Sequence, residues 1–469
     1  MEGHSAFPRG AVTGPRAAIV LTVALALLPA PLRADDWPNW LGPSEDNASA
    51  ETGWSKDWPA GGPPRLFTKD IGEGYSAVAV AKGRLVLFHR VDDRLVVDAL
   101  AATTGASEWS FSYPTRYVDR YGYNGGPRCS PIVDVAVEAP RLYTLGPSGV
   151  LHCLDFASGK VLWKRDVQSE YEVEPFFFGV GAAPILHGEL LIMNLGGTEA
   201  GSGFTFAFRK ADGALKWKAP TGGGAYAAAR VATIDGVEQL FVFHRTGLSS
   251  FDPATGASRW EFQWLSRVYE SVNATTPVVS GDIVFVSAAY RTGSAALRVK
   301  KGSYEVLWKD DARSREKALE SHWSNVNLVG EHLYGFSGRH ESEARLTCLE
   351  LATGKVAWRW ASYLGRGSML YSDGHFIALG ERGDLALLQL SPDGHKELHR
   401  VPGVLRYPAW TPPVLANGVL YLRDEHRLIA FDLRAKPAKN PAERPAGGPT
   451  APVGRDRSDD RSDGSTKGY

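Results

Sequence analysis

Between residues 64 and 433 short apolar runs alternate with glycine turns, and one phrase is repeated. A small-Pro-Val element opens a first run, as in Ser130-Pro131-Ile132-Val133, Thr276-Pro277-Val278-Val279 and Pro412-Pro413-Val414-Leu415. A turn such as Ser280-Gly281-Asp282 or Asn417-Gly418 leads into a second run, Ile283–Val286 or Val419–Leu422. A third run carries Cys, Ala or Ser, then Leu or Phe, then Asp, and a Ser/Thr/Asp-Gly turn follows. A fourth run then bears a tryptophan four residues after the glycine, as at Trp163, Trp260 and Trp358. Short apolar runs bounded by such turns read as strands, four to a repeat.

The copies are unequal. Those ending at Trp109 and Trp217 are looser, and the one ending at Trp308 is degenerate, with Gly302 six residues back. A seventh, Ser391-Pro392-Asp393-Gly394 to Leu398, has leucine for tryptophan, and the eighth, Leu428 to Leu433, stops before its turn. The six tryptophans recur every 43 to 54 residues. A period of that size, with four strands per unit and a flat indole to wedge between neighbouring sheets, predicts an all-β, eight-bladed β-propeller of four-stranded antiparallel blades. The last blade lacks its fourth strand, and Pro64-Arg65-Leu66-Phe67-Thr68-Lys69 matches the missing piece. Ring closure is therefore expected through Arg65–Lys69 as the outer strand of the last blade, which removes unpaired sheet edges. An open solenoid is the alternative.

Four segments follow: 1–34, 35–63, the propeller 64–433, and 434–469. Arg9 and Arg16 precede the apolar stretch Ala17–Leu28, with prolines at 29 and 31 and Leu32-Arg33-Ala34 behind, the pattern of an export signal peptide. An uncleaved anchor is the competing reading; with cleavage the mature chain has no transmembrane segment and lies in the periplasm or outside the cell. Residues 35–63 hold Trp37, Trp40, Trp54 and Trp58, too much apolar surface to leave in water, so this extension is expected to pack on the propeller. The tail 434–469, rich in Pro, Ala, Gly, Arg and Asp, is expected to be disordered. Fifty-two Lys and Arg balance fifty-two Asp and Glu with no long basic run in the repeats, which argues against nucleic acid. Three cysteines imply no disulfide framework; Cys153 and Cys348 share one repeat slot with Ala and Ser, as small core fillers.

The Asp-x-x-Thr-Gly-x-x-x-Trp element resembles the tryptophan-docking repeat of the pyrroloquinoline quinone (PQQ)-like propellers, a superfamily holding quinoprotein dehydrogenases and a lipoprotein of the outer-membrane-protein assembly machinery. The opening Trp37-Pro38-Asn39-Trp40-Leu41-Gly42-Pro43 resembles exported planctomycete members. The resemblance spans about residues 37–433. It implies fold strongly and activity hardly at all. A quinoprotein would need a site for quinone carboxylates, Ca²⁺ ligands and a catalytic Asp, and alcohol-oxidising relatives carry adjacent cysteines. No Cys-Cys pair or Cys-x-x-Cys-His is present, and no Ca²⁺ ligands map onto this chain.

Loops leading into the inner strands would bring Tyr75, Arg128, Tyr226, Asn273, Trp323, Arg366 and Trp410 to one mouth of the channel. Arginines suit carboxylate or phosphate and aromatics offer stacking faces, so a ligand site and a self-satisfied plug are both open readings. The loop 113–127 carries Arg116, Tyr117, Arg120, Tyr121 and Tyr123, a recognition-type composition, against the alternative of an ordinary wet loop. No catalytic residue and no metal site are assigned. The expectation is a monomeric, exported, non-catalytic propeller that binds a protein, peptide or glycan; a PQQ- and Ca²⁺-dependent oxidoreductase of alcohols or sugars is the alternative.

Overall fold

In the computed structural model, Met1 and residues 35–434 are described. The export-signal segment and the tail beyond residue 434 lie outside the described residues. Eight sheets follow one another along the chain. Blades one to seven occupy 79–114, 132–166, 185–221, 230–263, 278–309, 327–360 and 368–401, each a four-stranded antiparallel meander. Blade eight takes three strands from 414–432 and its outer strand from Arg65–Asp70, in antiparallel register with Arg427–Phe431. The ring is thus closed by the expected N-terminal strand. Helix is confined, among the described residues, to Val167–Glu170 and a 3₁₀ turn at Glu341–Glu343. No helix among the described residues is long and apolar enough to cross a membrane.

The tryptophans join each blade to the next. The indole N–H groups of Trp109, Trp163, Trp217, Trp308 and Trp358 donate to the carbonyls of Phe156, Lys210, Pro253, Leu351 and Ser391, at 2.7–3.2 Å. Each acceptor lies three residues before the turn glycine of the following blade. At Gly159, Gly213, Gly256 and Gly354 the ring lies so close that a Cβ would overlap it. Trp260 departs from the pattern: the degenerate turn of blade five gives its N–H no acceptor, and Tyr304 packs on it instead at 4.8 Å.

Two slots differ from the sequence reading. In blade seven the hairpin runs on to a two-residue turn at Pro392-Asp393, which puts His399, rather than Leu398, opposite Leu387, where blades one to six carry tryptophan. In the closing strand Phe67 faces Ala430 and packs on Gly105 of blade one, so phenylalanine makes the last joint.

The segment before the closing strand circles the end of the channel opposite the mouth. Asp35 O accepts from Asn417 N of blade eight, and Trp37 exchanges backbone hydrogen bonds with Val80 of blade one. Pro38 O then accepts from Val133 N of blade two, and Ser44 O from Arg230 of blade four. Asn47 O accepts from Asn327 of blade six, and Ala48–Ser49 adds a parallel strand to Tyr371–Ser372 of blade seven. Glu51 returns to blade eight, its carboxylate accepting from Gly418 N at 2.7 Å. Trp54 and Trp58 are buried beyond it, Trp54 bonded to Ser372 Oγ and Trp58 stacked on His399.

Candidate functional site

The loops from each outer strand to the next inner strand all open on the other end of the ring, the mouth face. A long one lies between blades one and two and is tied by one carboxylate. Asp119, its side chain fully buried, accepts from the Tyr121 and Tyr123 backbone N–H groups through Oδ1 (2.9 and 3.3 Å). Its Oδ2 accepts from Arg128 Nη2 at 2.8 Å and from the Tyr117 hydroxyl at 3.3 Å. Burial first, and then this neighbouring charge, push Tyr117 up to about 12. Arg128 uses further N–H groups on the Gly126 and Asn124 carbonyls and lays its guanidinium over Tyr75, 5.5 Å from the ring centre. Asn124 reaches across to Glu425 on blade eight.

A second knot sits at the loop between blades six and seven. Arg366 forks onto Glu381, whose side chain is fully buried, with Nε–O distances of 3.1 Å to both oxygens and Nη2–Oε2 at 2.7 Å. Its remaining Nη1 donates to Arg339 O, and its plane covers Trp323 at 4.3 Å. Trp323 and Trp410 lie 5.1 Å apart, and Tyr75 meets Trp410 at 5.4 Å. Beside them His322 accepts or donates at Tyr290 OH over 2.9 Å; burial, with Arg366 and Arg339 close by, lowers its pKa to about 3 and keeps it neutral.

Five of the seven expected mouth residues, Tyr75, Arg128, Trp323, Arg366 and Trp410, therefore form one connected cluster. Tyr226 stands beside it, its hydroxyl accepting from Phe178 N at 2.6 Å and its ring on Phe176 and Phe178. Asn273 faces away: it is buried, and its amide donates to His244 O at 2.7 Å. In the long loop Arg116, Arg120, Tyr121 and Tyr123 are exposed, whereas Tyr117 is half-buried. Phe177 and Phe178, which the repeat pattern does not single out, pack against this loop through Tyr121 and Tyr123, and Phe176 packs behind them on Phe177. Tyr407 adds a further exposed ring, 6.1 Å from Trp410. The loop also walls a cleft of about 880 Å³ that reaches from Asp92 and Asp93 past Tyr117 and Tyr123 to His426.

PQQ with Ca²⁺ does not fit these groups. Its carboxylates would need free cationic donors, and the two arginines of this cluster, Arg128 and Arg366, are already neutralised by Asp119 and Glu381. Among the described residues no three His, Cys, Asp or Glu side chains converge as a metal site would require. The three cysteines are separately buried and free.

Residues 92–360 match the family model described as outer membrane protein assembly factor BamB. No curated protein matches the sequence. Among solved structures the chain is similar to BamB from Moraxella catarrhalis, with 15 % identity and a TM-score of 0.55 over 79 % of this chain and 98 % of that one. It is similar to quinohemoprotein alcohol dehydrogenase from Comamonas testosteroni, at 13 % identity and a TM-score of 0.60 over 88 % and 82 % of the two chains. A europium-containing methanol dehydrogenase gives 11 % and 0.61 over 85 % and 89 %. At these identities the likeness establishes the fold.

Proposed function

The chain belongs to the family described as outer membrane protein assembly factor BamB, and from that premise we propose that it is an exported, non-catalytic binding or scaffold protein of the cell envelope that holds a protein partner against its mouth face. The observation that carries this reading is the pair of buried carboxylates, Asp119 and Glu381, that cancel Arg128 and Arg366. They convert what would be an anion site into a neutral aromatic floor, while the rim above it leaves Tyr121, Tyr123 and Tyr407 exposed. Exposed aromatic side chains set on a rigid scaffold favour protein recognition. The opposite end of the channel is occupied by residues 35–51, so a partner has one approach to the channel.

A photo-crosslinking amino acid placed at Tyr123 in the native host, and as a control at Lys82 on the opposite face, tests the role. A discrete protein adduct from position 123 and none from position 82 supports it. Purified protein mixed with PQQ and Ca²⁺ tests the alternative quinoprotein oxidoreductase: stoichiometric quinone uptake with dye-linked alcohol or sugar oxidation would overturn the proposal.

A further inference from the structure

All four large aromatic side chains that are exposed among the described residues, Tyr121, Tyr123, Tyr269 and Tyr407, stand on the mouth face, at 45–55 % exposure. Phe177, Phe178 and Trp410 link them into one strip. Its steps are Tyr269–Phe177 at 5.7 Å, Phe177–Tyr121 at 6.1 Å, Tyr121–Phe178 at 5.1 Å, Phe178–Tyr123 at 5.5 Å, Tyr123–Trp410 at 5.6 Å and Trp410–Tyr407 at 6.1 Å. The strip runs from the loop after blade four, over the loops after blades two and one, to the loop before blade eight.

Three features decide what would lie on it. Beneath the Tyr123–Trp410 half the charges cancel in the Arg128–Asp119 and Arg366–Glu381 pairs. At the other end Arg245, over Phe177 and Tyr269, donates to the Ser271 and Tyr269 carbonyls with no carboxylate partner among the described residues, which suits an uncharged occupant rich in carbonyl acceptors. The hydroxyls of Tyr121, Tyr123 and Tyr407 have no protein acceptor among the described residues, so each has a donor to offer outward. The side-chain polar groups that a sugar would need, those of Asp119, Asn124, Arg128, Arg366 and Glu381, are spent on one another and on Glu425 and backbone carbonyls.

We propose that this strip docks an extended, proline-containing segment of a protein partner in the polyproline II conformation; the inference rests on the docking role proposed above. Such a segment has no internal hydrogen bonds, so its carbonyls are free to accept from tyrosine hydroxyls, and its pyrrolidine rings lie flat on aromatic faces. Its ridges repeat about every 9 Å, at roughly 3.1 Å per residue and three residues per turn. Two steps along the strip cover a similar distance, so proline ridges would meet alternate rings. A segment of about ten residues spans the strip.

The test is calorimetric and fluorescence titration of the full chain with a ten-proline peptide, a Gly-Ser peptide of equal length, and chitohexaose. Saturable binding of the ten-proline peptide below about 1 mM, with neither of the others binding, is the expected result. Tyr121→Ala with Tyr123→Ala, and separately Tyr407→Ala, should each weaken it at least about tenfold while the thermal midpoint stays within the error of the parent's. Absence of saturable proline-peptide binding, or chitohexaose binding that the same substitutions abolish, overturns the inference. A crosslinked adduct at position 123 without proline-peptide binding would leave the docking role standing and remove only the polyproline assignment.

Discussion

Trp217 of blade three lies on Gly256 of blade four, so close that a Cβ there would stand 2.5 Å from the indole, and its N–H reaches Pro253 O at 3.1 Å. The glycine of the repeat thus does two things at once. Its positive φ of 73° closes the turn, and its missing side chain makes room for the neighbour's ring. This couples the two most recognisable residues of the repeat across a blade boundary, not within one blade.

Trp217→Ala should therefore destabilise the ring by about 3–5 kcal/mol, the cost of deleting a buried aromatic and leaving a carbonyl without its donor. Gly256→Ala should also destabilise it, by about 1–3 kcal/mol, through strain and overpacking. Urea unfolding midpoints measure both. A Trp217→Ala midpoint indistinguishable from the parent would show that the joint contributes nothing to stability.

The repeat made the blades and the closing strand legible because each copy carries its own turn glycine and its own indole. It misplaced the slot in blade seven: the bulge beside the slot recurs in blades one to six, but in blade seven the hairpin runs on to a two-residue turn at Pro392-Asp393, which puts the slot five residues after Gly394 instead of four. The mouth was legible in membership but not in charge. Asp119 sits nine residues before Arg128 in the same loop, whereas Glu381 reaches Arg366 only through the pairing of two strands. Asn273 looked like a rim residue because it precedes an inner strand; the structure turns its amide inward onto His244 O. The run Phe176-Phe177-Phe178 follows a short helix that no repeat predicts, so its role beside the long loop could not be read from periodicity.

Arg423 of blade eight, 1 % exposed, spans the seam to blade one by donating to the carbonyls of Gly72, Gly74, Ser76 and Phe88 at 2.9–3.3 Å. Replacing it with methionine leaves four carbonyls without this donor and should cost about 3 kcal/mol or more. Lysine should not rescue it, because an ammonium cannot reproduce the planar fork. Hydrogen exchange should show protection lost first in Arg65–Asp70 and Arg427–Asp432, the strands at the closure. Uniform loss across all blades would argue against a role specific to the seam.

Glu51 is fully buried, and burial raises its pKa from 4.5 to about 7 against the opposing hydrogen bonds of Gly418, Asn417 and Asp35. For a carboxyl group whose folded pKa is raised, the unfolded chain gives up its proton first. The fold is thus unpenalised below about pH 4.5 and loses stability as pH climbs to about 7. The full loss, about 3 kcal/mol, is reached above that. Glu51→Gln keeps an acceptor for Gly418 N and cannot ionise. It should raise the unfolding midpoint at pH 8 and leave it nearly unchanged at pH 4.5; an equal shift at both pH values would contradict the assignment.

The buried Arg366–Glu381 pair allows the two views of the mouth to be separated. Arg366→Ala strands a buried carboxylate and should cost about 3–5 kcal/mol. Replacing both residues by methionine removes both charges together, preserves volume over Trp323 and should recover stability to within about 2 kcal/mol of the parent. If the mouth face docks a protein through its exposed rim, the double variant still gives the crosslinked adduct from position 123, because the pair lies beneath the rim and already cancels. If the mouth instead captures an anionic ligand by turning Arg366 outward, the double variant loses that ligand altogether while remaining folded. Stability and ligand retention measured on the same double variant thus assign the pair either to the floor of a docking face or to a concealed anion site.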